Sequence, residues 1–204
     1  MVRGRAIIAV AAALPLVFLL GRPLPARAQT KIRSSQCCPV KIKKSGSYFL
    51  TESLKPGTNR DGIDVDVSAP NVTIDLNGFS IIGNGKGSGV GINAAAATSV
   101  TVENGGISSM GGTAILLGGQ GVARNIQAVG NSAGGGGNGI QCAGSACLVL
   151  NCVASSNING DGLNFSDSTS GYKDNVLNGN GGVTSGVSGG VNMGGNVCNS
   201  ALCP

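Results

Sequence analysis

The sequence predicts an all-β fold, a short coil of parallel strands in which one unit is copied about five to six times along the chain. The first observation is a small residue placed before an aliphatic one, at Gly62-Ile63, Gly91-Ile92, Ala114-Ile115, Gly139-Ile140, Gly162-Leu163 and Gly190-Val191. The aliphatic members lie 29, 23, 25, 23 and 28 residues apart, as expected of a repeat with loop insertions. The second is alternation. Two places on, the chain is apolar in every copy (Val65, Ala94, Leu117, Cys142, Phe165, Met193), and the intervening residue is polar in five of six (Asp64, Asn93, Leu116, Gln141, Asn164, Asn192). That is a strand with one face inside and one in water. Strands apolar on the same face in every copy lie in register and pair in parallel, about 4.8 Å apart. The third is composition: two Tyr, four Phe and no Trp beside 36 Gly cannot fill a bulky core, but suit flat stacked turns.

From the N-terminus, residues 1–28 read as an export leader. Arg3 and Arg5 precede an apolar run from Ala6 to Leu20, and Ala26-Arg27-Ala28 is a small-x-small cleavage pattern. The run is 15 residues and holds Pro15, short of the roughly 20 that a spanning helix needs. The mature chain is therefore expected to start at Gln29, secreted or periplasmic, with no stable membrane span. The residues before Cys37, Ser34-Ser35-Gln36, do not form a lipoprotein box. Without the leader, ten basic groups face nine acidic ones, so the overall basicity nearly vanishes. What remains is local: Lys31, Arg33, Lys41, Lys43, Lys44, Lys55 and Arg60 precede the repeats, as a solvated end or a contact for an anionic polymer or surface. No basic run is interleaved with aromatics, so no nucleic-acid partner is expected.

Residues 61–197 are assigned to the repeats. A second landmark follows the first at Val72, Val100, Val122, Leu148 and Tyr172, which predicts two short strands per turn. Three residues beyond it stand Asp75, Glu103, Asn125, Asn151 and Asn175, types that tolerate a left-handed corner and can bond from turn to turn. Arg124 and Asp174 fall at positions that are inward in the other copies, so the register is open there. The stretches 84–89 and 134–139 read as loops. Residues 198–204 form the end segment.

Seven cysteines in an exported chain imply oxidation and at least one free thiol. Cys198 and Cys203, five apart, can close a terminal loop. Cys142 and Cys147 share that spacing, although Cys142 sits at an inward position where a free thiol packs as a small hydrophobe, as does Cys152. One of the adjacent Cys37 and Cys38 is expected to bridge to the first turn, leaving the other free. With no His, a zinc site has no support.

Asn71-Val72-Thr73-Ile74-Asp75-Leu76-Asn77-Gly78, Ser99-Val100-Thr101-Val102-Glu103-Asn104-Gly105 and Leu148-Val149-Leu150-Asn151-Cys152 resemble successive turns of right-handed parallel β-helix proteins of the pectin-lyase-like superfamily. The resemblance runs from about Asp61 to Cys198. It implies a single-stranded right-handed parallel β-helix, with residues 29–60, including Ser47-Tyr48-Phe49-Leu50, as an N-terminal cap. Such a cap is expected on physical grounds too, because an open end exposes core and strand edges.

The resemblance also implies candidate activities on acidic polysaccharides. Lyases of this type combine acidic calcium ligands with a basic Arg or Lys, and hydrolases use aspartate pairs. The His-dependent epimerase type is excluded by the absence of His. The candidate catalytic residues are Asp75, Glu103 and Arg124: equivalent positions on neighbouring turns would bring the two carboxylates roughly 5 Å apart. The candidate calcium ligands are Asp75, Glu103, Asp61 and Asp64. Otherwise no cofactor is expected. The same acids also read simply as corner and surface residues, and without His no Ser or Cys nucleophile has an ordinary base. An outward threonine row of the ice-binding kind fails, because the row reads Thr73, Thr101, Ala123, Val149 and Lys173. The expectation is a non-catalytic surface or periplasmic module that contacts polysaccharide or another cell-envelope component. The alternatives are a small polysaccharide lyase or glycoside hydrolase, and a structural, self-associating protein of undetermined oligomeric state.

Overall fold

A computed structural model of the chain describes residues 28–181, 186–199 and 201–203. The expected leader, residues 1–28, lies outside them except for Ala28. The described chain is an all-β parallel solenoid of about seven turns. Among the described residues no helix is long and apolar enough to cross a membrane.

Each full turn has three sides, one more strand than the alternation alone predicts. The first side is a seven-stranded sheet of Val40–Ile42, Ile63–Val65, Ile92–Ala94, Ile115–Leu117, Ile140–Cys142, Leu163–Phe165 and Val187–Ser188. Ile63 pairs with Ile92 and Ile92 with Ile115, so the expected column is present. The coil begins earlier than Asp61, because Val40 pairs with Ile63 and Gly46 with Val72. Those pairings raise the count from five or six turns to about seven. At the far end Val187, not Val191, extends the column, pairing with Leu163. Val191 pairs instead with Gly171 on the second side, and Met193 is exposed.

The second and third sides are joined in the long strands Thr101–Ser108 and Val122–Val129, which run around a corner at Asn104 and Asn125. The inward column of the second side is Ile74, Val102, Ala123, Val149 and Tyr172, fixed by the pairings Ile74↔Val102↔Ala123↔Val149↔Tyr172. This corrects the sequence register by one residue in the third and fourth copies and by two in the fifth. Val122 and Leu148 point partly outward, while Gly121, Cys147 and Ser170 take the place that Val100 holds. The same slip turns Arg124 outward beside Glu103. Asp174 occupies the left-handed corner, at φ 56°, with Asn104, Asn125 and Asn151 at 58°, 54° and 50°. The third side stacks Ile81, Ile107, Ala128, Ala154, Leu177 and Cys198.

The small residue before each first-side column member has a steric cause. A Cβ at Gly91 would stand 2.5 Å from the Ala114 carbonyl oxygen and 2.5 Å from the Ile107 side chain. At Gly62 the contacts would be 2.6 Å to the Gly91 oxygen and 2.7 Å to Ile81. Here the first side passes against the third with no room for a side chain larger than the methyl of Ala114, which is itself wholly buried.

Asparagine completes the interior where aliphatic residues run out. Asn131, Asn157 and Asn180 stack in one column. Asn131 Nδ2 donates to Asn157 Oδ1 at 3.2 Å, and Asn157 Nδ2 donates to Asn180 Oδ1 at 2.8 Å. The same oxygens accept the backbone N–H of Asn131 and Asn157, and Asn157 Nδ2 also reaches the Ala128 carbonyl. In a second column, Ile126 and Cys152 give way to Asn175 and Asn196, joined at 2.9 Å. Asn175 was expected at an outer corner; it is wholly buried. The outer ladder lies elsewhere, from Asp75 through Asn104 and Asn125 to Asn151.

Cys198 and Cys203 are paired, with Cα atoms 4.9 Å apart, and hold the antiparallel end segment against the last turn. The Cys37 and Cys38 sulfurs lie against each other. Cys142, Cys147 and Cys152 are free and buried, with the Cys142 and Cys147 thiols in hydrogen-bonding contact. That contact and burial raise the Cys142 thiol, and burial pushes Cys152 up to about 11.

Two measurements check this packing. Asn157→Ala strips partners from the Asn131 amide and the Ala128 carbonyl, and is expected to cost about 3 kcal/mol in urea unfolding, whereas loss of an exposed amide would cost almost nothing. The thiols of Cys142, Cys147 and Cys152 are expected to resist a thiol reagent at pH 8 and to react fully in urea; fast labelling of the folded chain would contradict their enclosure.

Candidate functional site

The outward residues of the first side form a row, one per turn: Lys41, Asp64, Asn93, Leu116, Gln141, Asn164 and Ser188. Strand alternation puts them there, because their neighbours in each strand point inward. A flanking row, two residues before each column member, includes Asp61, Asn138 and Asp161 and bonds sideways to the first. Asn93 Nδ2 donates to Asp61 Oδ2 at 3.2 Å, Asn138 Nδ2 to Gln141 Oε1 at 3.1 Å, and Asn164 Nδ2 to Asp161 Oδ2 at 3.1 Å. The face therefore carries one line of polar side chains broken by Leu116 and, beside it, a second line that holds Asp61, Asn138 and Asp161 but is broken by Val90 and Thr113.

The lines are most concentrated at the N-terminal end. Asp61 and Asp64 are in side-chain contact there. Lys41 Nζ lies 3.0 Å from Asp64 Oδ2, and Asp61 Oδ1 accepts the Val90 N–H at 2.8 Å. Asp64 Oδ1 is buried and is the one such side-chain oxygen or nitrogen without a partner among the described residues. A cavity of about 450 Å³ opens beside the pair, with Lys41, Asp64, Val65, Asp66, Val67 and Asn93 in its wall. Burial, helped by the neighbouring Asp64 carboxylate, raises the Asp61 carboxyl above its ordinary range. A proton held on Asp61 can be donated to Asp64 Oδ1, which gives that oxygen a partner. The recess thus offers the Asp64 and Asp66 carboxylates, the Asn93 amide and the Lys41 ammonium, with Asp61 bonded to Asp64 and Asn93 from behind its wall.

The other predicted group is assembled differently. Asp75, Glu103 and Arg124 are register partners on adjacent turns, as the candidate site required. However, Arg124 closes on Glu103, its Nε donating to Oε2 at 2.6 Å while a second guanidinium nitrogen meets the same oxygen. Asp75 Oδ1 is taken by the Asn77 N–H and by Asn104. Asp75 and Glu103 end the straight stretch rather than turn the corner. Each carboxylate has a structural partner, and the group sits on the second side, away from the Asp61–Asp64 recess. Among the described residues no three His, Cys, Asp or Glu side chains come together as a metal cage, so the four candidate calcium ligands divide into two separate pairs.

Lys41 and Asn93 were missed as members of the site. Lys41 lies before the first small-aliphatic landmark, since Pro39 rather than glycine precedes Val40. The alternation in Val40-Lys41-Ile42 was the signal that would have found it.

The Asp61 shift predicts a pH dependence. Its folded pKa is raised, so the native state holds the proton more tightly than the unfolded chain. The stability it contributes is present in acid and is lost as pH rises through the folded value. Asp61→Asn can keep the Val90 bond and offer a donor to Asp64. Relative to the parent chain, its stability is expected to rise between about pH 4 and pH 7, by under about 1 kcal/mol because the site is partly screened. A difference that stays constant across that range would contradict the raised pKa.

No family model, curated protein or solved structure matches this chain.

Proposed function

We propose that the protein is an exported, non-catalytic module that binds carbohydrate along the first side of its solenoid. The observation that carries this reading is the pair of bonded polar rows, from Lys41 and Asp64 through Asn93 and Gln141 to Asn164, ending in the Asp61–Asp64 recess. Amides and carboxylates repeated about every 4.8 Å along one axis are the groups that bind the hydroxyls of a chain of sugar rings. The partner is a polysaccharide or another component of the cell envelope. We further propose that the coil is right-handed, that it belongs to the pectin-lyase-like superfamily, and that residues 29–60, whose strands Val40–Ile42 and Gly46–Leu50 are themselves rungs of the coil, cover its N-terminal end as a cap. The motifs from Asn71 to Gly78 and from Ser99 to Gly105 support these readings.

A second reading, a small glycoside hydrolase or lyase, draws on one observation: Asp61 is a carboxyl with a raised pKa beside a carboxylate, the division of roles that acid catalysis uses. In this reading Asp61 replaces Asp75 as the acid, because the Asp75 and Glu103 carboxylates are already engaged.

A glycan array, run with and without calcium, separates the readings. The module is expected to retain specific glycans, with Asp64→Ala and Asn93→Ala each weakening binding about tenfold, the worth of one good hydrogen bond. Uronic-acid polymers incubated with the protein are expected to yield no new double bonds or reducing ends. Turnover abolished by Asp61→Asn would establish the enzyme instead, and an array blank under both conditions would sink the carbohydrate reading.

A further inference from the structure

A separate recess lies near the start of the described chain and has a volume of about 790 Å³. Three separate segments build it. The single-turn helix Ser34–Gln36 and the following Cys37 and Cys38 form one wall, Glu52 to Gly57 form another, and Arg60 closes the rim. None of its lining residues is shared with the Asp61–Asp64 recess. The volume is that of a small-molecule site.

Its charge is net positive. Lys55 and Arg60 outnumber the single carboxylate of the wall, Glu52, whose Oε1 accepts the Ser34 N–H at 2.8 Å, a bond that holds it at the Ser34 wall and keeps it ionised. Lys55 has no ion pair or hydrogen-bond partner among the described residues, and neither it nor Arg60 is matched by an acid. The Lys55 backbone is fixed by the buried neighbours Leu54 and Pro56, with Leu54 bridged to Ile81. Arg60 uses one guanidinium nitrogen on the Cys38 carbonyl, at 3.3 Å, which sets the fork across the rim and leaves its other donors for a ligand. The surrounding field reinforces the two cations. Residues 29–60 hold seven basic groups against Glu52 alone, whereas residues 61–204 hold three against eight acids.

We propose that this cleft binds an oxyanion, held between Lys55 and the Arg60 fork, with the rest of the recess enclosing the group that carries it. The shared chemistry is a carboxylate or a phosphate on a small polar body, such as an acidic sugar or a sugar phosphate. The site is independent of the first-side rows and stands or falls without them.

Calorimetric titration of the full chain with glucuronate, glucose 1-phosphate and glucose tests it. At least one of the two anions is expected to bind and glucose is not; the anion that binds more tightly identifies the source. Lys55→Gln and Arg60→Gln are each expected to weaken that binding about tenfold or more. Lys43→Gln and Lys44→Gln, in the same basic block but outside the cleft, are expected to change it less than about twofold. Lys55→Gln leaves the Arg60 bond to Cys38 untouched, so its loss of affinity does not report a disturbed fold. The proposal is overturned if neither anion binds at millimolar concentration, if glucose binds as well as the anions, or if the Lys43 and Lys44 variants lose as much affinity as those in the cleft.

Discussion

Everything in this molecule depends on each turn lying in register on the one below. A parallel ladder satisfies backbone N–H and C=O groups only with a neighbouring turn, and a shift of one residue would send the whole inward set into water. The column Ile63, Ile92, Ile115, Ile140 and Leu163 carries this condition on the first side. Once it holds, the close approach of the first side to the third follows, and a glycine or alanine before each of these column members is required by it. The left-handed corners at Asn104, Asn125, Asn151 and Asp174 also follow, since each turn must bend at the same place.

Few large side chains are available to stabilise such a stack, and asparagine takes over part of their role. In the column that begins with Ile126 and Cys152, Asn175 and Asn196 occupy the last turns. Their amides join side chain to side chain and side chain to backbone, so a buried polar group costs little as long as every turn supplies its partner. The same property makes the ladders intolerant of slippage: an amide displaced by one position would lose its partners inside the core. Apolar stacking and amide ladders therefore enforce one register by different means. The Cys198–Cys203 pair holds Ala201–Leu202 against Val197–Cys198 at the last described rung.

The first side was legible in the sequence because its landmark is double, a small residue and then an aliphatic one, at every turn from Ile63 onward, whereas Pro39 before Val40 hid the turn that precedes it. The second side was not, because the inward place just before its strand is filled by Val100, Gly121, Cys147 and Ser170 in turn. Such a mixed column has no hydrophobic signature, and the conspicuous Val122 and Leu148 next to it drew the register one residue too far. Near the end, Gly186-Val187 and Gly190-Val191 both match the landmark, and only the pairing of Val187 with Leu163 separates them. The third strand of each turn was hidden for another reason: Thr101–Ser108 and Val122–Val129 run around a corner without a break. Of the candidate residues, Asp64 was read correctly as facing outward, while its contacts with Lys41 and Asp61 depend on which turns are adjacent and are not visible in any one repeat.

Both proposed binding regions are consequences of the stack. The bonded rows on the first side exist because outward residues of successive turns align, and the basic cleft exists where the segment from Ser34 to Cys38 meets the segment from Glu52 to Arg60. The most direct test is the distance between spin labels on outward first-side positions. Cysteine pairs at Lys41 with Gln141, Asn164 and Ser188 span four, five and six turns. In-register stacking predicts backbone separations of about 19, 24 and 29 Å, a constant step of about 4.8 Å per turn. Distances that do not increase in equal steps, or that spread broadly at each pair, would contradict it.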